Sequence, residues 1–324
     1  MTGWTTLAFL AVLAMTTSVV DQRSAAPPSD HAIRGPAPTP GATPTENLVR
    51  DANGDLINID RALGRLTVKV LLGQHGPHDF LIDTGAQRTA ISRELAERLG
   101  YAAGPMVRLT SMSGTQTVPT VHVPLIQLSR RTSARNIVAP SLDAMNMGAA
   151  GLIGVDALAG QRVVIDMAAQ EMRVLPSYRA VMKPGPDDIV VEARSVAGQL
   201  ILADAYYGDT PVRVVIDTGS AVTIGNSAFR KRVARNGGQT VKVSVLSVTG
   251  GAVLADYGLV DQMQIGTLRV RDMPVAYADV EPFHRLGLDN KPALLLGMDM
   301  IKQFRRVEID FANRRVRFSL SGDA

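Results

Sequence analysis

The feature that most constrains this chain is a short stretch that occurs twice. FLIDTGAQRTAIS, from Phe80 to Ser92, and VVIDTGSAVTIGN, from Val214 to Asn226, each run an apolar segment into Asp-Thr-Gly. A continuous apolar run is typical of a buried strand, so the carboxylate at its end needs a hydrogen-bonding turn, which Thr and Gly can provide. One such triplet would indicate only a strand-end turn whose Asp bonds its own backbone. Two of them in matching surroundings indicate an internal duplication.

The duplication extends well beyond the triplet. Asp217 follows Asp83 by 134 residues, and the same offset relates Thr89 to Thr223. Later landmarks recur in the same order at offsets of 143 and 144, namely Gly154 with Gly297 and Asp166 with Asp310. Because the insertions fall between elements, they are typical of loops on one repeated scaffold.

Both repeats predict the same order of elements. Alternating strands, RLTVKVLL and QLILADAYY, lead through a Gly- or Pro-containing turn to the strand that ends in the Asp. A short helix follows, capped by Ser92 in the first half and beginning at Asn226 or Ser227 in the second. Each half then has a hairpin with a Gly-bearing tip, an apolar-apolar-Gly segment and a closing hairpin. The sequence therefore predicts two strand-rich lobes, residues 55–182 and 183–324, linked around Met182–Asp188.

The N-terminal residues differ from both lobes. Leu7–Met15 is an apolar stretch of signal-peptide length, shorter than the roughly 20 residues that a membrane span needs. Residues 1–20 are therefore predicted to be a signal peptide or, if Trp4–Val20 inserts as a unit, a membrane anchor. Residues 21–54 are rich in Pro and Ala and predict a disordered tether. We expect an exported protein, periplasmic or secreted, or one anchored to the inner membrane.

Composition excludes several classes of chemistry. The chain has no cysteine, which rules out disulfides and thiolate catalysis, and its five His lack the spacing of metal ligands. We therefore predict no metal and no cofactor. The net charge is +4, and the basic clusters FRKRVARNGG and RRVRF have no interleaved aromatic residues, so we predict solvated faces and no nucleic-acid partner.

At the level of motifs, the chain resembles the aspartic proteases of the pepsin and retropepsin type. The resemblance rests on two Asp-Thr-Gly loops, each followed in its own half by an apolar-apolar-Gly segment, and it covers roughly Leu56 to the C-terminus. It implies an all-β, two-lobed acid-protease fold, in which two retropepsin-like β-barrel halves enclose a cleft. Since both halves lie in one chain, a monomer is expected to form the site.

The resemblance implies that Asp83 and Asp217 are the catalytic pair of an endopeptidase. Two carboxylates held roughly 3 Å apart share one proton, so that one acts as a base on water and the other donates to the substrate carbonyl. Ser220 can donate a hydrogen bond to its carboxylate and Ala86 cannot, which predicts Asp217 as the base, Asp83 as the acid, and a working pH between mild acidity and neutrality. The residues expected to support the two loops are Thr84, Gly85, Ala86, Thr218, Gly219 and Ser220.

The two Gly-bearing hairpin tips are candidate flaps over an extended protein or peptide substrate. Their alternative interpretation is an ordinary exposed hairpin. Neither tip carries the Tyr of a pepsin flap, which favours the two-flap retroviral arrangement. The candidate flap residues are Ser113 and Gly114 in SMSGTQT and Thr249, Gly250 and Gly251 in SVTGGAV.

The chain departs from retropepsins at two places in each half. Gln87 and Ala221 stand where retropepsins have an Asp after the triplet loop. Asp156 and Asp299 stand close behind the apolar-apolar-Gly segment, where retropepsins have an Arg. The ionic brace of the viral enzymes is therefore expected to be missing.

Two other functions stay open. A catalytically inactive peptide-binding module would keep the same cleft without turnover. An ATPase of the actin and sugar-kinase type also has duplicated halves with Asp-containing turns after strands, where they hold phosphate and magnesium.

Overall fold

The computed structural model of the protein describes most of the two predicted lobes. The described residues are 32–33, 57–58, 67–128, 133–169, 171–177, 185, 187–234 and 240–320. The predicted signal peptide or anchor and nearly all of the predicted tether lie outside the described residues, as does much of the predicted linker. Among the residues that are described, no helix is both long enough and apolar enough to cross a bilayer.

The N-terminal lobe is built on a closed barrel of six strands. In pairing order around the barrel they are β10 (Gly151–Ile153), β4 (His75–Ile82), β3 (Thr67–Leu72), β8 (Thr120–Gln127), β9 (Ser133–Leu142) and β5 (Ala90–Ser92). A separate hairpin consists of β6 (Val107–Ser111) and β7 (Gly114–Val118), and the helices are α1 (Arg93–Arg98), α2 (Ala144–Met147) and α3 (Val155–Leu158).

The period-two pattern of the sequence explains the barrel interior. In β3 the side chains of Val68, Val70 and Leu72 are buried while Lys69 and Leu71 are exposed, as expected for a strand with one face on the core. The Gly- and Pro-containing segment GQHGP, residues 73–77, is predicted to be the turn before β4, but the chain turns only at residues 73–74 and is extended again from His75. His75 and His78 therefore lie in a strand.

The C-terminal lobe contains more strands and longer ones. They are β13 (Asp188–Val196), β14 (Gln199–Leu202), β15 (Ala205–Tyr207), β16 (Thr210–Pro211), β17 (Arg213–Ile216), β18 (Ile224–Gly225), β19 (Val241–Leu246), β20 (Ala252–Ile265), β21 (Leu268–Tyr277) and β22 (Ala293–Leu296). The helices are α4 (Ser227–Val233), α5 (Glu281–Arg285) and α6 (Met298–Ile301). The stretch QLILADAYY is not one strand, because a bend at residues 203–204 divides it into β14 and β15.

Both predicted helix starts are confirmed by their caps. The Ser92 hydroxyl accepts a hydrogen bond from the Leu95 N–H, and the Asn226 side chain accepts one from the Phe229 N–H. α4 therefore begins at Ser227, with Asn226 as its cap. Each cap satisfies a backbone donor that the first helical turn leaves unpaired.

The closing hairpins of the two halves join the lobes in one sheet. They are β11 (Gln161–Asp166) with β12 (Glu171–Pro176), and β23 (Arg306–Asp310) with β24 (Arg315–Ser319). β11 pairs antiparallel with β23, and the sheet order is β13-β24-β23-β11-β12-β2, where β2 is Ile57–Asn58. A further two-residue strand, β1 (Ala32–Ile33), pairs with β21.

The register of β11 and β23 relates the halves by an approximate two-fold axis. Val164 pairs with Glu308, and these residues are themselves equivalent at the repeat offset of 144. Glu308 is buried there between Arg306 at 2.6 Å and Arg162 at 4.0 Å. The all-β, two-lobed fold predicted from the sequence is confirmed, with one closed barrel and a larger sheet that continues across the junction.

Candidate active site

The two Asp-Thr-Gly loops leave their lobes in the same way. Asp83 follows β4, which pairs in parallel with β10, and Asp217 follows β17, which pairs in parallel with β22. The backbone N–H of Asp83 donates to the Ile153 carbonyl and that of Asp217 to the Leu296 carbonyl, both at 3.0 Å. Each Asp is therefore fixed to the apolar-apolar-Gly strand of its own half.

The Thr residues of the two triplets lock the loops to each other. The Thr84 hydroxyl donates to the Ile216 carbonyl at 2.8 Å, and the Thr218 hydroxyl donates to the Ile82 carbonyl at 2.7 Å. Each hydroxyl oxygen also accepts from the opposite Thr backbone N–H, at 3.1 and 3.2 Å. Since both Thr side chains are buried, the four bonds form a dry brace between the lobes.

The Gly residues of the triplets bring the carboxylates to this junction. A Cβ on Gly85 would lie 2.7 Å from Asp217 Oδ1, and a Cβ on Gly219 would overlap the Asp83 carboxylate. Each carboxylate therefore lies against the glycine of the opposite loop, where only a residue without a side chain fits. Asp83 Oδ1 accepts from the N–H groups of Gly85 at 2.9 Å and Ala86 at 2.8 Å, and Asp217 Oδ1 accepts from the Gly219 N–H at 3.1 Å.

The structure corrects the role expected for Ser220. Its hydroxyl donates to the Val222 carbonyl at 2.7 Å, within its own turn, instead of to the Asp217 carboxylate. A hydroxyl carries one proton, so this bond removes the reason for distinguishing the two carboxylates by Ser220 and Ala86. The assignment of Asp217 as base and Asp83 as acid thereby loses its support.

The two loops differ in exposure and in what supports them. Asp217 is 8% exposed, whereas Asp83 is only partly buried. The C-terminal lobe also supports the first loop directly, because the Gln199 side chain donates to the Gly85 carbonyl and the Gln87 side chain donates to the Ala197 carbonyl at 2.9 Å. Gln87, which replaces a retropepsin Asp, thus makes a contact between the lobes.

A brace that the sequence reasoning missed links each loop to its apolar-apolar-Gly segment. In the first half, the Asp156 carboxylate accepts from the Thr89 N–H at 2.9 Å and from the Thr89 hydroxyl at 2.8 Å. The Thr89 hydroxyl oxygen accepts in turn from the Gly154 N–H at 3.1 Å. A Cβ on Gly154 would lie 2.6 Å from the Arg88 backbone, so the loop passes closely over this glycine.

The second half repeats that brace in a more buried setting. The Asp299 carboxylate accepts from the Thr223 N–H at 2.9 Å and from its hydroxyl at 2.7 Å, and the hydroxyl oxygen accepts from the Gly297 N–H at 3.1 Å. Burial raises the pKa of the Asp299 carboxyl, although the Thr223 hydrogen bonds act in the opposite direction. The sequence contained a sign of this brace, because the Thr and the Asp recur together in both halves. These hydrogen bonds lie where retropepsins have an ionic brace.

The two candidate flap tips contact each other. The Ser111 and Thr249 hydroxyls are 2.9 Å apart, and the Ser113 and Thr249 hydroxyls are 3.3 Å apart. Gly251 lies against the Ser113 side chain, and Gly250 lies against the Asn146 side chain of α2. Gly114 has a φ of +123° and open space where a Cβ would be. The structure thus brings the tips of both lobes together.

Comparison with known families finds one match in each half. Residues 68–160 match a family described as "gag-polyprotein putative aspartyl protease", and residues 203–300 match a family described as "aspartyl protease". Each matched region contains one Asp-Thr-Gly loop and its apolar-apolar-Gly segment. A search of curated proteins found no match.

Proposed function

The chain carries two aspartyl protease domains in tandem, and we propose that together they form one aspartic endopeptidase with a single catalytic pair, Asp83 and Asp217. The observation that carries this proposal is the reciprocal packing of each carboxylate against the glycine of the opposite loop. Two carboxylates at such a junction cannot both ionise easily, so the pair holds one shared proton, as is known for this family.

The pair would hydrolyse a peptide bond without a covalent intermediate. The ionised carboxylate removes a proton from a bound water as its oxygen attacks the carbonyl carbon, and the protonated carboxylate donates to the carbonyl oxygen. The carboxyl that took the proton from water then gives it to the departing amine nitrogen as the C–N bond of the tetrahedral diol breaks, and the other carboxylate takes a proton from a diol hydroxyl, which restores the shared proton. Because Ser220 does not distinguish the two sides, either carboxylate can act as the base.

The hairpin tips suit a substrate in extended conformation. A peptide between the carboxylate pair and the tips at Ser113 and Thr249 could pair with backbone groups as an added strand. In the described state the tips are hydrogen-bonded to each other, so substrate entry requires the bond between Ser111 and Thr249 to break. The remaining flap candidates, Gly114, Gly250 and Gly251, permit the backbone conformations and close approach that such tips need.

The cellular setting follows from the N-terminal sequence. A signal peptide or anchor in residues 1–20 and a tether in residues 21–54 would place the protease outside the cytoplasm, where it would act as a monomer on protein substrates. No nucleic-acid partner is part of this function. Fractionation of cells that express the full chain, with and without residues 1–20, tests export directly.

The catalytic pair is tested by peptide-library cleavage with wild-type protein, Asp83→Asn and Asp217→Asn. Both substitutions should abolish turnover while the far-UV circular dichroism spectrum is kept. Asp79→Asn is the matched control, because Asp79 lies on β4, the strand that leads to Asp83, but forms an exposed ion pair with Lys69. Cleavage that persists in both active-site variants would end the proposal.

The same assay separates the two alternatives. Wild-type protein that binds the inhibitor pepstatin but cleaves no peptide would instead be a peptide-binding module. Thermal stabilisation by ATP and magnesium, without any effect of peptides, would favour an ATPase. The closed barrel and the two family matches support the protease.

A further inference from the structure

The short helix α5 brings the C-terminal lobe close to the first hairpin tip. α5 packs against β6, the strand that leads to the tip of the N-terminal lobe. Its Phe283 is buried in an apolar cluster of the C-terminal lobe, and Met112 from that same tip packs against this cluster. The last residue of α5, Arg285, is therefore held at the junction between a flap candidate and the opposite lobe.

The Arg285 guanidinium interacts electrostatically with the Asp83 carboxylate. Burial lowers the pKa of Arg285, while the carboxylates of Asp83 and Glu281 act to raise it. Asp83, from the opposite lobe, has a larger effect than Glu281, which lies one turn earlier on the same helix. Together with the packing of α5 on β6, this interaction indicates that the cation lies within electrostatic range of one of the two candidate catalytic carboxylates.

Arg285 has no acceptor for its donors in the part of the chain that the structure describes. It forms no hydrogen bond or ion pair with a described residue, and its Nε is fully buried without a partner. A guanidinium offers five N–H donors in a planar fork, and burying one of them, here Nε, without an acceptor is costly. Such an arrangement fits a ligand that supplies oxygen atoms in the same plane, and a carboxylate does this in a bidentate manner.

We propose that Arg285 determines substrate specificity by binding a carboxylate of the substrate beside the bond that is cleaved. The inference rests on the proposed protease function and adds a substrate class to it, namely extended segments with an acidic group near the cleavage point. That carboxylate can come from an Asp or Glu side chain within the segment or from the free C-terminus of a peptide. The chemistry at Arg285 is the same in both cases.

Matched peptides distinguish these sources. One set has amidated ends and carries Glu or Gln at each position that flanks the cleaved bond. A second set is neutral in its side chains and carries either a free or an amidated C-terminus. For wild-type protein we expect kcat/KM to be about tenfold or more higher for the acidic member of a pair, because charge-assisted bidentate bonds are the strong ones. The set in which the preference occurs identifies the source.

The variants Arg285→Gln and Arg285→Lys test the residue itself. Arg285→Gln should reduce the acidic-to-neutral ratio to about one by slowing only the acidic peptides, and Arg285→Lys should keep part of the preference, since it retains the charge without the fork. Lys291→Gln is the control, because it removes one positive charge from the exposed loop that follows α5 and should leave the ratio unchanged. Unchanged unfolding midpoints verify that the variants are folded.

Three outcomes would overturn the inference. The first is a ratio near one for wild-type protein with active turnover, which leaves the protease function intact. The second is an equal loss of rate on both peptide sets in Arg285→Gln, with a shifted pH profile on neutral peptides, which would mean that the cation acts on the carboxylate pair. The third is equal binding of Glu and Gln peptides by the Asp217→Asn protein, a binding measurement that does not depend on turnover.

Discussion

The two Asp loops have the same internal geometry and different surroundings. Both are cross-braced by a Thr hydroxyl that donates to a carbonyl of the opposite lobe, and both are attached to a Gly segment through a Thr–Asp pair. The loop of Asp217 is buried throughout its Asp-Thr-Gly-Ser, whereas Asp83, Gly85 and Ala86 of the other loop are partly exposed. The two halves thus share the contacts that position the carboxylates and differ in how far the loops around them are exposed to solvent.

This comparison predicts how equivalent substitutions in the two halves should behave. Changes at the shared contacts should affect catalysis about equally from either side. Where equivalent residues are more buried in the C-terminal lobe, their substitution should lower the free energy of unfolding more than in the N-terminal lobe. A buried polar group that loses its hydrogen-bond partner is destabilised more than an exposed one.

The largest effect is expected from Gly85→Ala and Gly219→Ala. In each case the new Cβ would meet the opposite carboxylate, at 2.7 Å from Asp217 Oδ1 for Gly85, so the pair must separate. We expect kcat/KM to fall by at least about 100-fold in both variants, because displacing a reacting group by about 1 Å has an effect of this size. Steady-state cleavage of one good peptide measures it. Near-normal activity in either variant would contradict the reciprocal packing.

The Thr brace should give the next largest effect, now on stability. Thr84→Val and Thr218→Val each remove a donor to a buried carbonyl and an acceptor for a buried N–H, so each should lower the free energy of unfolding by about 2 to 4 kcal/mol. Urea unfolding measures the loss. Thr→Ser at either site keeps the hydroxyl and is the control. Fully additive losses in the double variant would show that the two hydroxyls do not act as one unit.

The two Thr–Asp pairs can be compared by measuring stability as a function of pH. Burial raises the pKa of Asp299 above its usual 3.8, so the folded state keeps the proton to a higher pH than the unfolded state does. The contribution of this group to stability is therefore largest below that usual value and is lost as pH rises through the raised pKa. Asp299→Asn should lower stability by about 1 kcal/mol near pH 4, and the difference from wild type should shrink as the pH rises through the raised pKa.

Asp156→Asn is the matched variant in the first half. Asp156 is exposed, so losing one of its hydrogen bonds to Thr89 should change stability by only about half a kcal/mol. Urea unfolding of both variants across this pH range measures the difference. A larger loss for Asp156→Asn than for Asp299→Asn would be the opposite of what burial predicts.

The smallest effect on catalysis is expected from exchanging Ala86 and Ser220. Ser220→Ala removes a hydrogen bond to Val222 and should lower stability by about 1 kcal/mol, but it should leave the pH profile of kcat/KM in place. Ala86→Ser is the reciprocal variant. A profile that moves in Ser220→Ala would restore the original expectation that this hydroxyl stabilises a charged Asp217.

Much of the fold could be predicted because the repeat offset passes through whole elements. An offset of 134 residues relates the two Asp residues and also the two Thr residues of the second brace. The order of strands, caps and Gly segments could therefore be predicted from two copies of the same pattern. The hairpin tips at Gly114 and Gly250 were readable for the same reason. Where one half was ambiguous, the other supplied a second sample of the same local pattern.

The remaining features depend on contacts that no local pattern contains. Ser220 bonds the Val222 carbonyl because of the exact turn conformation, which residue types alone do not fix. The pairing of Asp156 with Thr89 requires the antiparallel alignment of β5 and β10, which brings the residue before β5 close to the segment after β10. The electrostatic interaction of Arg285 with Asp83 depends on the packing of α5 against β6 of the other lobe, and the sequence around Arg285 is that of an ordinary helix end.

The antiparallel pairing of β11 with β23 has a further consequence. A catalytic site assembled from two separate chains falls apart on dilution, because its formation depends on protein concentration. Here the strands that join the halves belong to one molecule, so each half experiences a fixed effective concentration of the other. If the pair is catalytic as proposed, activity per molecule should therefore stay constant however dilute the protein becomes.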